Sequence, residues 1–219
     1  MASYHCFIQA RYSSKRLRGK VLKKFGKLTL LEILVKRLSQ SNQLKKIVIL
    51  TSKSKDDKKI INFCKKKNIN YFAGPLKNVF FRFKLAIKKY KPNRIIRISG
   101  DSPLIDWRLL DEMIALSKKH TKYDIISNVK KRTFPKGQSI EILKPEIFNL
   151  QNDLLSKYEK EHVTKYFYKK KYKVYNLEIV KKFNKYNLSV DTSKDYISIS
   201  SLINKKGIYA TWKNYVKEL

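Results

Sequence analysis

Short apolar runs alternate along the chain with stretches whose apolar residues recur every three or four positions. That alternation is the signature of an α/β fold with a mainly parallel sheet. Residues 5–10 (HCFIQA) and 46–51 (KIVILT) read as strands. Between them, residues 28–38 place Leu30, Leu31, Leu34, Val35 and Leu38 on one side of a helix. Residues 56–67 read as a polar helix that buries Ile60, Ile61 and Cys64, followed by a strand at 70–73 and a helix over 78–90. Pro92 closes that helix, and the next strand, 94–99 (RIIRIS), runs into Gly100 and Asp101. Further on, the pattern predicts a helix over 109–119, strands at 124–128 and 137–143, and a short helix opened by Pro145. A helix over 160–170, strands at 172–178 and 188–190, and a helix over 194–203 capped by Thr192 or Ser193 complete the pattern. No repeat or long linker interrupts it, so one domain is expected.

Composition narrows the class. At 219 residues and 42% hydrophobic, the chain has enough apolar material for a real core. No apolar run approaches the roughly 20 residues that span a bilayer, and the apolar stretch near the N-terminus is too short for a secretory leader. The two cysteines, Cys6 and Cys64, lie on separate elements without metal-ligand spacing. A reduced cytoplasmic protein is the expectation. The formal charge of +34 points at first to nucleic acid. Yet 42 of the 51 basic residues are Lys, spread along the whole chain among abundant Asn, Ile and Tyr. A/T-rich codons encode that mixture without any ligand, so no specific nucleic-acid partner is expected.

Three stretches carry chemistry. The segment QARYSSKRLRGKVL, residues 9–22, follows the first strand, at the sheet edge where open α/β folds bind ligands. Arg11, Lys15, Arg16, Arg18 and Lys20 supply cations, while Ser13, Ser14 and Gly19 allow close backbone approach. Polyphosphate needs both; a generic basic surface loop would show the same composition. In RISGDSPLID, residues 97–106, Asp101 stands just past a buried strand, and in LSVDTSKDY, residues 188–196, Asp191 ends another. The plain alternatives are a Gly-Asp turn and a helix-capping box. Two converging carboxylates together with phosphate oxygens would suit Mg²⁺, which keeps several of its waters.

The order of these residues resembles the CTP-dependent sugar cytidylyltransferases, the family of CMP-ulosonate synthetases and of the spore-coat polysaccharide protein F group. Gln9, Ala10, Arg11, Ser14, Arg16, Leu17, Gly19, Lys20 and Leu22 match its first signature, with Arg18 where Pro is usual. Gly100 and Asp101 match I-x-G-D-x-P-L-I, and Asp191 matches V-D-T-x-x-D. The resemblance implies a three-layer nucleotide-diphospho-sugar transferase (Rossmann-like) fold with a mainly parallel mixed sheet. It also implies CTP as donor, and Mg²⁺ held by Asp101 and Asp191. Gln9, Ala10, Arg11, Ser14, Arg16, Gly19, Lys20 and Gly100 would surround the nucleotide, and Arg11, Arg16 and Lys20 would stabilise the leaving pyrophosphate.

By the same resemblance FPKGQSIEIL, residues 134–143, and EKEHVTKYF, residues 159–167, form the acceptor side. Glu141, Glu161, His162 and Thr164 would line that pocket, with Arg132 and Lys136 meeting an acidic sugar or sugar phosphate. Gln138 and Ser139 replace a usual Leu-Asp pair, and Asn78 a usual Asp in AGPLKNVFFRF, where Arg82 would contact base or ribose. The resemblance runs from about Cys6 to Ile203 and implies a homodimer joined through 137–143; residues 1–204 are expected as a single domain, with 205–219 a C-terminal helical extension of it. A nucleotide-sugar glycosyltransferase would show an Asp-x-Asp motif where this chain has Gly-Asp-Ser-Pro. A catalytically degenerate nucleotide-binding relative is the other alternative.

Overall fold

The computed structural model describes residues 3–14, 16–170 and 172–219. Strand β1 (Tyr4–Gln9) is buried at all positions but the last, and a run apolar on both faces has to sit inside a sheet. It pairs in parallel with β4 (Leu44–Ser52) on one side and β6 (Arg94–Ser99) on the other. Outside β4 lies β5 (Tyr71–Gly74), also parallel. Beyond β6 come β8 (Glu141–Leu143), β7 (Ile125–Ser127) and β9 (Val174–Asn176), giving the order β5-β4-β1-β6-β8-β7-β9. Only β8 runs against its neighbours, so the sheet is mixed and mainly parallel. A small hairpin, β2 (Lys24–Phe25) with β3 (Leu28–Thr29), stands apart.

Alternation along β1 splits the core into two. Cys6 and Ile8 point into one cluster with α1 (Leu30–Leu38), α2 (Lys58–Lys66), α4 (Trp107–Lys119), α7 (Ser193–Lys206) and α8 (Trp212–Val216). Phe7 points into the other, against α3 (Val79–Tyr90) and the short helices α5 (Lys157–Glu161) and α6 (Lys165–Lys169). Helices on both faces of one sheet make the expected three layers. Among the described residues no helix is long and apolar enough to cross a membrane.

Four elements differ from the sequence pattern, each for a tertiary or capping reason. Helix α1 starts at Leu30 because Thr29 caps it in a reciprocal box with Glu32, after Leu28 has paired in the hairpin. The expected strand 137–143 pairs only from Glu141, because the buried Gln138 amide turns instead to Leu104 and Asp106. Residues 188–190 join no strand; Leu188 N–H donates to Lys136 and Val190 N–H to Asp101, two different loops. The helix expected over 160–170 breaks into α5 and α6. A continuous helix would rise about 15 Å over ten residues. Here Lys169 reaches back to Glu159 at 3.3 Å.

The C-terminal residues pack onto the body. Trp212, Tyr215 and Val216 are buried, and Trp212 N–H donates to Asp106 at 2.9 Å. The fully buried Arg37 donates to the carbonyls of Leu104, Ile105, Ile208 and Ala210, tying α1, the loop after β6 and the tail together. The segment 137–143, expected as a dimer interface, is buried in this chain except at Ser139, and Glu141–Leu143 lie inside its own sheet.

Candidate active site

β1 and β6 lie side by side, yet the chain leaves β1 for β4 on the opposite flank. Their carboxyl ends therefore form a topological switch point, where open α/β sheets leave a crevice. Gly100 lets those ends close up: its N–H donates to Gln9 O at 2.8 Å, and a Cβ there would lie 2.8 Å from that same oxygen.

The basic loop after β1 is held from below by a buried carboxylate. Asp57 accepts from Tyr12 N–H at 2.7 Å, from Ser52 N–H at 3.0 Å and from the Ser52 hydroxyl. Gly19, in the left-handed region at φ 71°, donates to Tyr12 O at 2.8 Å and closes the loop on itself. It supports the clamp from behind rather than lining the cleft. Next to it, Lys20 is buried, and its ammonium donates to Asp101 at 3.0 Å, Asp191 at 2.9 Å and the Val190 carbonyl at 2.9 Å.

Asp191 also meets Arg16 at 2.9 Å and Lys136 at 2.6 Å. Burial pushes its carboxyl upward, but the Lys136 and Lys20 hydrogen bonds outweigh that and hold it down to about 2. Among the described residues no group of three or more His, Cys, Asp or Glu side chains gathers as a metal site. Asp101 and Asp191 converging on one cation are a hard oxygen pair at a place that already stabilises positive charge. That set fits Mg²⁺ completed by phosphate oxygens and water.

Around this centre lies a cleft of about 390 Å³. Gln9, Ala10, Arg11, Ser14, Arg16 and Lys20 from β1 and the loop after it line this cleft, together with Arg82, Gly100, Asp101 and Asp191. Arg11 meets Glu161 across the mouth at 3.3 Å. Arg82 borders the cleft, with its guanidinium bonded to the carbonyls of Pro75 and Leu76; burial brings it down to about 10. Asn78, in place of the usual Asp, caps α3 by accepting from Phe81 N–H at 2.9 Å. Arg18 is absent from the lining and forks onto Asp56 at 2.8 and 3.0 Å, so it serves as a tether rather than an added phosphate cation. Lys15 lies outside the described residues.

A second cavity of about 340 Å³ adjoins the first, and Arg97, Ser99 and His162 line both. Arg132, Glu141 and Thr164 line it too, so the structure brings most of the expected acceptor residues together. Glu161 lines the first cavity instead, and Lys136 is engaged by Asp191. Ser139, where the resemblance has Asp, accepts from Arg132 at 2.9 Å.

Sequence reasoning missed Arg97 and Tyr168. The Arg97 guanidinium donates to Glu141 at 2.5 Å and to Gln9 at 3.3 Å, and Tyr168 hydroxyl donates to Glu141 at 2.7 Å. Burial pushes the Tyr168 phenol far upward, so it remains a donor. The one signal for Arg97 was a lone cation inside an apolar strand, RIIRIS.

Comparison with known proteins agrees with this geometry. The chain is 37% identical over 214 residues to the spore coat polysaccharide biosynthesis protein SpsF of Bacillus subtilis, covering 91% of this chain and 86% of that protein. It is 31% identical over 118 residues, 52% of this chain and 45% of the other, to a 3-deoxy-manno-octulosonate cytidylyltransferase of Fusobacterium nucleatum. A solved cytidylyltransferase from Leptospira borgpetersenii superposes with a TM-score of 0.93 at 29% identity, covering all of this chain and 94% of that one. A CMP:2-keto-3-deoxy-manno-octonic acid synthetase complexed with CTP shares the fold, with a TM-score of 0.71 at 13% identity over 94% of this chain and all of that one. The family model described as Cytidylyltransferase matches residues 5–219, and with a switch-point crevice, a cationic loop and paired aspartates in place, the chain belongs to the cytidylyltransferase family.

Proposed function

We propose that the protein transfers CMP from CTP to an acidic sugar or sugar phosphate, releasing pyrophosphate, in surface polysaccharide or glycan synthesis. One observation carries this reading: Asp101 and Asp191, far apart in sequence, meet on Lys20 beside a second, arginine-bearing cavity. An acceptor oxygen attacks the α-phosphorus in line, and negative charge grows on the departing pyrophosphate. Arg11, Arg16 and Lys20 line the same cleft as the two aspartates and would stabilise that charge, a preorganised electrostatic arrangement. Arg11 is half exposed, so its pair with Glu161 is worth at most about 1 kcal/mol and opens easily for phosphate. Bound between the two aspartates, Mg²⁺ would neutralise phosphate charge and orient the triphosphate. In the adjoining cavity Arg97 and Arg132 favour an anionic acceptor.

The test is pyrophosphate release from CTP, with UTP, ATP and GTP as comparators, over a nonulosonic acid, a deoxy-octulosonate and phosphorylated sugars or polyols. Asp101→Ala is expected to lower turnover with CTP by roughly 10²–10³-fold, the scale of losing one key electrostatic group. Native turnover in that variant, or a preference for another nucleotide, overturns the assignment.

A further inference from the structure

At the seam of the two cavities stands His162. Its backbone is fixed at the break between α5 and α6: its N–H donates to Tyr158 O, and its carbonyl accepts from Lys165 N–H, both at 2.9 Å. Its ring lies on Tyr158 with centroids 4.3 Å apart, and among the described residues neither ring nitrogen has a hydrogen-bond partner. The other groups common to both cavities are Arg97, a permanent cation, and Ser99, a hydroxyl; neither takes a proton at neutral pH.

None of the nearby carboxylates stands at the seam: Glu161 and Asp101 line the first cavity alone, and Glu141 lines the second alone, held by Arg97 and Tyr168. His162 is thus the one side chain with an unpartnered basic nitrogen among the described residues that line both cavities.

We propose that His162 is the general base of the transfer: it takes the proton from an acceptor hydroxyl as that oxygen attacks the α-phosphorus of CTP. This rests on the transfer reading above and deepens it, because it makes the acceptor a hydroxyl nucleophile rather than a phosphate, which arrives already ionised. The O–P bond to the acceptor forms, and the bond from the α-phosphorus to the bridging oxygen breaks. Pyrophosphate leaves with the electron pair, and the hydroxyl proton moves to the imidazole and then to water.

Charged and titratable groups face His162 from several elements. Tyr158 and Glu161 come from α5, Arg11 from the basic loop and Arg97 from β6. Across the second cavity stand Lys165 and Tyr168 from α6, Glu141 from β8, and Lys130 and Arg132 from the loop after β7.

His162→Gln, at an exposed position, is expected to fold normally. With a hydroxyl acceptor it should lose about 10²-fold in kcat at unchanged KM for CTP, and lose the acid limb of the kcat–pH profile. Full turnover, a retained limb, or a native protein that transfers to a phosphate acceptor and to no hydroxyl acceptor would overturn the proposal. If no acceptor in the panel turns over, proton NMR decides. The chain has three histidines, and the signal missing from the variant identifies His162. Adding Mg²⁺ and α,β-methylene-CTP should shift its titration midpoint. A midpoint that stays put while other resonances move places His162 away from the reacting centre. Failure of any resonance to respond sinks the transfer reading itself.

Discussion

Lys20 gathers two carboxylates and a carbonyl onto one buried ammonium, and that single side chain explains why the loop after β1 needs a lysine rather than any cation. A guanidinium is planar and would not point three donors at so compact a cluster. Replacing it with Met leaves Asp101 without its partner, while Asp191 keeps Arg16 and Lys136. The cost is expected at about 2 kcal/mol, below the full penalty for an orphaned buried charge because Asp101 is partly exposed. Lys20→Met should therefore melt about 4–8 °C lower. Mg²⁺ should raise the variant's melting temperature more than the native protein's, because it meets an Asp101 carboxylate that has lost its ammonium partner; equal shifts would argue against a cation site there. Asp191, held down to about 2, contributes its stabilisation above the ordinary carboxylate range and loses it only as pH falls through that low value. Between pH 5 and 8 it stays ionised, so a change in rate within that window has to come from another group, which makes the His162 profile interpretable.

At the scale of elements, the parts legible in the sequence were those whose burial is decided locally. β1, β4 and β6 read correctly because residues apolar on both faces fit only an interior strand, and α4 because its apolar spacing is regular. The cationic loop and Asp101 were legible because the ends of β1 and β6 put them at one sheet edge, whereas Asp191 reaches the same cleft from a loop and not from the strand end expected. What stayed hidden depends on partners far along the chain. Nothing near residues 188–190 announces that Lys136 and Asp101 will take their N–H groups, and nothing in 157–170 announces the turn that carries Glu161 and His162 to the cleft. Arg37 is the clearest case, since a helix-face arginine normally reads as solvated. It is instead fully buried, and burial pulls its guanidinium downward while it binds four carbonyls. Arg37→Met should leave those carbonyls without a donor and cost about 3 kcal/mol or more. Limited proteolysis ought then to cut first within residues 207–219; a tail as resistant as the native one would show that apolar packing of Trp212 and Tyr215 alone holds it.

Across the whole molecule, charge governs behaviour in solution. Six of the seventeen acidic residues are buried, against three of the fifty-one basic ones, among the described residues. The surface is therefore more cationic than the formal +34 implies, and self-repulsion opposes the compact state. Salt should act on two properties in opposite directions. Raising NaCl from roughly 0.05 to 0.5 M shortens the screening length from about 14 Å to about 4 Å, which relieves repulsion between lysines on separate elements. The melting temperature is expected to climb by a few degrees. The same screening weakens attraction between the cleft and a triphosphate, so the Kd for CTP–Mg²⁺ should rise several-fold, and loose binding to duplex DNA should vanish first. Calorimetric melting and isothermal titration across that range measure both arms. A melting temperature that falls with salt would mean that surface ion pairs such as Lys131 with Glu178 outweigh repulsion, and that the lysine excess is structural rather than tolerated. A CTP affinity indifferent to salt would remove the basic loop from phosphate recognition, because Arg11 and Arg16 are both largely exposed and act through solvent that salt screens.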